Sequence, residues 1–298
     1  MAVQEKTRSV VIMQPIADRA SRKLGTKISV YVLLIVGAFI SLFPFYYMFV
    51  QASQPSSEVL RFPPHLWFGE AAWMNIKALW SNGFGRSLFN SAFIAITSSV
   101  LSIFIASLSG YAFAKFSFPG RSVIFGLLLL VLMVPYHVTA VPLFKMMASI
   151  TWFTDSNWIS TYQAVILPAL ANPFGIFLMR QSMQSIPDDL LDAGRIDGAS
   201  EWRVFWNVVL PTMRPTLAAL GIYSFMFQWN SFFWPLIIMR DKAMETLPVR
   251  INALVGLSII DYGQLMMGTA LTTLPIMLIF LAFQRQFISG AMAGAVKG

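Results

Sequence analysis

The side chains able to do bond chemistry are few. His65 and His137 are the only two histidines, and cysteine is absent, so thiolate metal sites and Cys nucleophiles are excluded. Two separated histidines form neither a metal set nor a triad. His137 follows Pro135 inside an apolar run and has no acidic neighbour there to orient it as a general base; a distorted helix with a hydrogen-bonded imidazole is the expected role. A proton relay needs Asp or Glu at membrane depth, and the apolar runs contain none. The phosphate loop G-x-x-x-x-G-K-[ST] is missing as well. The expectation is therefore no catalytic residue, no metal and no cofactor bound by this chain, with the energy for any uphill process held on another polypeptide. Sodium coupling through unwound backbone carbonyls stays open on these grounds.

Polar chemistry is concentrated in one stretch, Arg180–Arg214, which reads as two short helices. Asp188 and Asp189 favour the positive end of the first, with Ser185 expected to accept from the Asp188 amide and Pro187 in the first turn. The helix continues through Leu190, Leu191, Asp192 and Ala193 to Arg195, and Gly198 supplies the positive-φ position that ends it. Ser200 can cap a second helix, Glu201–Val209, which Pro211 and Pro215 are expected to close. This helix carries Trp202, Phe205, Trp206 and Val209 at spacings of three and four, a stripe that has to pack on lipid, on a bundle or on a partner. Ala193, Gly194, Gly198 and Ala199 are small enough for another backbone to approach closely.

The rest of the chain positions this stretch in a membrane. Apolar residues make up 57% and charged residues 11% of 298, against about 25% charged in a soluble domain, and mean hydropathy is +0.66. The net charge of +8 comes without a dense Lys/Arg block, so it reads as topogenic loop charge and not as a nucleic-acid surface. A spanning helix needs about 20 mostly apolar residues. Ile28–Val50, Leu88–Phe113, Val123–Phe144, Tyr162–Met179, Thr216–Ile238 and Leu265–Phe283 qualify, and none contains Asp, Glu, Lys or Arg. The expected fold is all-α and polytopic, with six transmembrane helices. The first run does not read as a cleaved signal peptide: its leader and core are too long.

Lys and Arg are enriched about two to one on the side of the N-terminal segment, which puts both termini in the cytoplasm and the helical insertion between the fourth and fifth spans on that same side. The organisation is then a cytoplasmic segment 1–27, a first span 28–50, an external interfacial segment 51–85, a core of five helices 86–284 with the insertion at 180–214, and a cytoplasmic tail 285–298. Trp67, Trp73, Trp80, Trp152 and Trp158 suit the headgroup zone. In the fifth span Gln228, Asn230 and Ser231 lie at mid-depth beside Trp229, with a kink expected at Pro235; in the fourth, Asn172-Pro173 reads first as a kink. Uncharged amides and aromatic faces suit neutral, hydroxyl-rich cargo, although buried amides also hold helices together.

Asp192-Ala193-Gly194-Arg195-Ile196-Asp197-Gly198-Ala199, continuing to Leu210-Pro211, resembles the EAA loop of binding-protein-dependent ABC importer permeases, in particular the smaller permease of maltose-type carbohydrate importers. The likeness extends over most of the chain from Phe62, through Tyr111–Phe116, Phe118–Arg121, Met133–Pro135, Pro142–Phe144, Ile186-Pro187, Trp229-Asn230, Trp234–Leu236 and Thr246–Pro248 to the ending Gln284–Gly298. The sequence departs from the family pattern at Asp192-Ala193-Gly194, where Glu-Ala-Ala is usual, and at Ser231, where an acidic residue is common.

The resemblance implies half of a transporter. A second homologous permease completes the pathway, two ATPase subunits hold the ATP and Mg, and an external solute-binding protein delivers a sugar or polyol. Acidic saccharides or glycerol phosphate are the alternative cargo. It also implies that the helix Asp188–Arg195 docks on an ATPase subunit, with Asp189, Asp197, Gly198 and Ala199 in the contact region. A tail bearing Arg285, Gly290, Gly294 and Lys297, extended or loosely helical, would thread between the ATPases.

Overall fold

In the computed structural model, residues 16–151, 157–256 and 260–295 are described, with side chains described within these from 27 to 283. All regular structure among them is helical. The main elements are α1 (Ile16–Ala52), α2 (Ala72–Ser81), α3 (Phe84–Lys115), α4 (Arg121–Val131), α5 (Ala140–Ser149), α6 (Tyr162–Leu170), α7 (Pro173–Met183), α8 (Asp188–Ile196), α9 (Glu201–Val204), α10 (Arg214–Trp229), α11 (Phe233–Ile238), α12 (Leu247–Val255) and α13 (Tyr262–Ala295).

Four helical stretches are long and apolar enough to cross a membrane: Lys27–Ala52, Phe84–Lys115, Tyr162–Met183 and Tyr262–Phe283. The third apolar run differs from a straight span. It breaks ahead of Pro135 and turns by 95° between Arg121–Val131 and Tyr136–Ser149, so it adds a fifth only if this bent pair is one span. The fifth run is also interrupted. α10 stops at Trp229 and α11 begins at Phe233. The gap lies one turn before Pro235, whose ring crowds the carbonyl of Ser231 and whose nitrogen cannot donate to it.

α3 is the central pillar. It crosses α7 at a small-residue contact: a Cβ on Gly110 would stand 2.6 Å from Met179 Cβ, and one on Gly175 3.2 Å from Ala106 Cβ. Without side chains between them the two backbones pack closely, the usual way apolar helices associate where lipid offers no hydrophobic drive. One buried cluster joins this crossing to α8 and the turn after α9 through Met179, Met183, Leu191, Phe205 and Val209. A second, at the opposite end, ties Ala52 of α1 to Leu79, Phe84, Trp229 and Met267. Within α1 the side chains from Lys27 to Tyr46 are exposed. Trp67, Trp73 and Trp80 are exposed, but Trp158 is buried in a third cluster with Ile94, Val165 and Trp234, and its backbone N–H donates to the Met147 carbonyl of α5. Trp152 lies outside the described residues.

Candidate functional site

The elbow begins where α7 ends. α8 opens at Asp188 with Pro187 as its cap residue, and no side chain caps it. The expected Ser185 cap is not formed: its hydroxyl donates back to the Ser182 carbonyl at 2.7 Å, because Ser185 stands two residues ahead of the cap position and belongs to the end of the preceding helix. The C-terminus follows local chemistry closely. Gly198 has φ +79°, Ala199 N–H donates to Gly194 O and Gly198 N–H to Arg195 O, each at 3.0 Å. This pair of bonds is the Schellman motif.

Ser200 then caps α9, accepting from the Arg203 N–H. The second helix does not close at Pro211. A π turn, Phe205–Val209, widens the backbone ahead of the proline, and one more α turn, Leu210–Thr212, carries the chain to α10. A widened turn accommodates a ring that otherwise presses on the preceding turn's carbonyl. The aromatic stripe divides: Phe205 and Val209 are buried, whereas Trp202 and Trp206 are about half exposed and pack their rings on Phe104 of α3.

Charged groups then lock the elbow to the pillar. Glu201 accepts from Arg195 Nε at 2.6 Å and from the Tyr111 hydroxyl at 2.9 Å, and Arg195 Nη1 also donates to Asp192 at 2.7 Å. Lys115, the last residue of α3, is nearly buried and donates to Asp188 at 2.7 Å and to the Ile186 carbonyl. The Arg195 guanidinium, and after it the Tyr111 hydroxyl, hold the Glu201 carboxyl below the usual carboxylate value; the Lys115 ammonium does the same for Asp188. The partly exposed Arg195–Glu201 pair contributes about 0–1 kcal/mol, while fully burying a side chain such as Leu191 or Phe205 contributes about 1.5–3 kcal/mol. The buried cluster therefore holds the elbow down, and the ion pairs fix its angle.

Asp189, Asp192, Ala193, Asp197 and Gly198 form an open outer face, with Ile196 85% exposed at its tip. A Cβ on Gly198 would meet nothing within 4 Å, whereas Gly194 faces Val204 inside the elbow. Leu210 is half-buried and Pro211 exposed, both beyond this face.

The second feature is a cavity of about 880 Å³ among α3, the bent α4–α5 segment, α6, α7 and the α10–α11 break. Gln228, Ser231 and Asn172 line it; Trp229 and Asn230 do not. Trp229 is buried on the far side, where Nε1 donates to the Thr272 carbonyl at 3.2 Å. Asn230 is exposed and donates to the Met226 carbonyl at 2.9 Å, closing the end of α10. The sequence reading also passed over Ser98, Ser102 and Ser224, whose signal was their spacing: Ser98 and Ser102, like Ser224 and Gln228, stand four apart on one helix face. Asn172 does cap α7, accepting from Gly175 N–H at 3.0 Å. His137 packs its ring on Phe233, with centroids 4.5 Å apart. α13 continues as one helix through Arg285, Gly290 and Gly294 to Ala295, the helical one of the two forms expected for the tail, and Lys297 lies outside the described residues.

Residues 99–291 match the family described as binding-protein-dependent transport system inner membrane component. The lactose transport system permease protein LacG of Rhizobium radiobacter is 35% identical over 268 residues, covering 90% of this chain and 95% of the relative. The arabinooligosaccharides permease protein AraQ of Bacillus subtilis (strain 168) is 36% identical, over 86% and 91%. The sn-glycerol-3-phosphate permease protein UgpE of Yersinia enterocolitica is 36% identical, over 89% and 96%. A chain of a bacterial ABC transporter involved in the import of the acidic polysaccharide alginate shares the fold, with a TM-score of 0.74 at 21% identity, covering 91% of this chain and 99% of that one. With this family match and these relatives, the chain belongs to the binding-protein-dependent transport system inner membrane components, the permease subunits of ABC importers.

Proposed function

We propose that this chain forms half of the membrane pathway of an importer for an oligosaccharide or related polyol. In this reading it has six spans, the bent α4–α5 pair and the interrupted α10–α11 counting as one each, and both termini are cytoplasmic. The elbow α8–α9 is then the EAA coupling insertion between the fourth and fifth spans. A second homologous permease completes the pathway, an external binding protein delivers the solute, and two ATPase subunits hold ATP and Mg, so this chain binds no nucleotide and catalyses no bond change. The lactose and arabinooligosaccharide relatives support this cargo class, and the glycerol-phosphate relative supports the alternative, an acidic saccharide or glycerol phosphate.

The observation that carries the mechanism is the elbow's two-sidedness. Its inner face is tied to α3 by Glu201–Tyr111 and Asp188–Lys115, and its outer face around Ile196 and Gly198 is free. An ATPase pair closing on the outer face moves α8 as a lever, and the locked inner face passes that tilt into α3 and α10. Shifting a two-state equilibrium from 1:99 to 99:1 needs about 5.5 kcal/mol of differential binding, which a rigid contact transmits and a floppy one dissipates.

Co-purification in detergent with the co-encoded subunits tests this. The ATPase subunits are retained by the native chain and lost with Ile196→Asp. Uphill, sodium-dependent uptake by the chain alone would instead establish a stand-alone carrier.

A further inference from the structure

We infer that the corner between α3, α4 and α7 binds the phosphate of an anionic phospholipid, held between the guanidinium groups of Arg121 and Arg180. The inference goes beyond the transport reading and takes from it only the orientation, which puts this corner at the cytoplasmic leaflet.

The two side chains are positioned from below. Arg121 Nη1 donates to the Phe116 carbonyl at 3.0 Å and Arg180 Nε to the Phe113 carbonyl at 3.3 Å. These acceptors stand three residues apart at the end of α3, about one helical turn. The two guanidinium groups therefore hang side by side, close enough to feel each other's charge. Arg180 is held further by the buried ring of Phe125, its Cζ 4.0 Å from the ring centroid. The other N–H groups of both arginines have no partner among the described residues.

Charge makes the corner a site. The end of α3 offers about half a negative charge and the start of α4 about half a positive one, since α4 has no acidic residue in its first turn and no side-chain cap. These cancel, and the two guanidinium charges remain. Lys115, on the same turn of α3, is neutralised by Asp188 at 2.7 Å. Arg121 and Arg180 have no such counter-ion: α3, α4, α7 and the connection 116–120 contain neither Asp nor Glu.

Depth identifies what carries the anion. Arg121 stands two residues before the third apolar run opens at Val123, and Arg180 follows Met179, the last residue of the fourth. Beside Arg121, Val123, Ile124, Leu127 and Leu130 of α4 are exposed. The corner thus lies where hydrocarbon gives way to headgroups, with an uncovered apolar stripe next to it for acyl chains. Basic pockets between helices at this level bind anionic headgroups, and a guanidinium meets a phosphate through two parallel N–H···O bonds. A zwitterionic lipid brings its own cation and gains less.

The test titrates the assembled transporter in detergent with phosphatidylglycerol or phosphatidylcholine and counts bound lipid by native mass spectrometry. Phosphatidylglycerol binds at least about ten-fold tighter than phosphatidylcholine. The double variant Arg121→Gln with Arg180→Gln loses that preference. Arg121→Gln alone loses part of it, and carries the test where the double variant does not assemble. Arg214→Gln removes an exposed arginine just ahead of the fifth apolar run and leaves the preference intact. ATP hydrolysis in phosphatidylcholine vesicles, read on the same preparations, shows that each variant is assembled, so a failed lipid result leaves the permease reading standing. A preference undiminished in the double variant overturns the inference. An equal loss with Arg214→Gln also overturns it, reducing the effect to general basic charge. Displacement of the lipid by millimolar inorganic phosphate assigns the corner to a soluble anion instead. Absence of any preference in the native complex overturns the inference too, a partner subunit's carboxylate then covering the two arginines.

Discussion

The elbow and the cavity are both polar regions on α3, and they treat their polar groups in opposite ways. At the elbow Glu201, Arg195, Asp188, Lys115 and Tyr111 all have partners within the chain. In the cavity Ser98, Ser102, Ser224 and Gln228 have none. Saturated groups fix an angle; the unsatisfied ones fix nothing, and in this conformation their polar atoms are covered by the helices around them. The elbow is therefore built as a mechanical part. The central claim follows: the elbow and α3 move as one rigid body, so that motion imposed at Ile196 reaches the helix carrying Ser98 and Ser102.

The largest expected effect comes from the free face of the elbow. Asn tolerates the positive φ of Gly198 better than other side chains, and its Cβ meets open space, so Gly198→Asn leaves the complex assembled and lowers the melting temperature only slightly. It nonetheless abolishes solute-stimulated ATP hydrolysis, at least about ten-fold, because the partner's docking cleft no longer closes. Undiminished stimulation would show this face to be uncovered. Gly198→Val adds backbone strain of roughly 1–2 kcal/mol and lowers stability too.

Next comes the lock. Glu201→Ala removes the acceptor shared by Arg195 and Tyr111. Since exposed ion pairs contribute less than about 1 kcal/mol each, the melting temperature moves little, yet the ATP consumed per solute imported rises several-fold. Tyr111→Phe gives a smaller change in the same direction. A loss of stability with unchanged stoichiometry would make the lock an ordinary surface network.

A smaller contrast separates neighbours in the fifth apolar run. Gln228→Leu raises the half-saturating concentration about three-fold by removing a cavity amide. Asn230→Ala removes only the bond to Met226 O, lowering stability by at most about 1 kcal/mol with selectivity unchanged. Equal effects on selectivity would mean that Asn230 turns into the pathway during transport.

The mildest effect is on pH. Glu201 and Asp188 are held below their ordinary values of 4.5 and 3.8. Depressed carboxylates contribute fixation that is fully present above the ordinary value and lost as pH falls through the native one. Tryptophan fluorescence from the elbow should then be flat through neutral pH and change only below about 4.5. A transition near neutrality would point to a different titrating group.

What the sequence made legible was local. Gly198 and Ser200 act through bonds within a few residues, and both stand where turn and cap chemistry put them. The apolar runs were legible as helical membrane material but not in their shape: the 95° turn at Pro135 and the break one turn before Pro235 depend on what packs around each proline. The lock was hidden because its partners are distant in sequence: Tyr111 and Glu201 are 90 residues apart. Asn230 looked like a cavity amide by depth alone, while the serines of the real lining passed as ordinary small residues of packed helices. Which face a residue takes on an interrupted helix is set by where the interruption falls.

The rigid-body claim can be tested in one measurement, which the absence of native cysteine makes clean. Spin labels at Ile196→Cys on the elbow and Ser117→Cys just beyond α3 report their separation in the assembled transporter, with and without ATP. The account predicts the same Ile196–Ser117 distance in both states, while the distance from Ile196 to a label at exposed Met133, between the cavity-lining Leu132 and Val134, changes. An ATP-dependent change in the Ile196–Ser117 distance would mean that the elbow swivels on its own, and would contradict it.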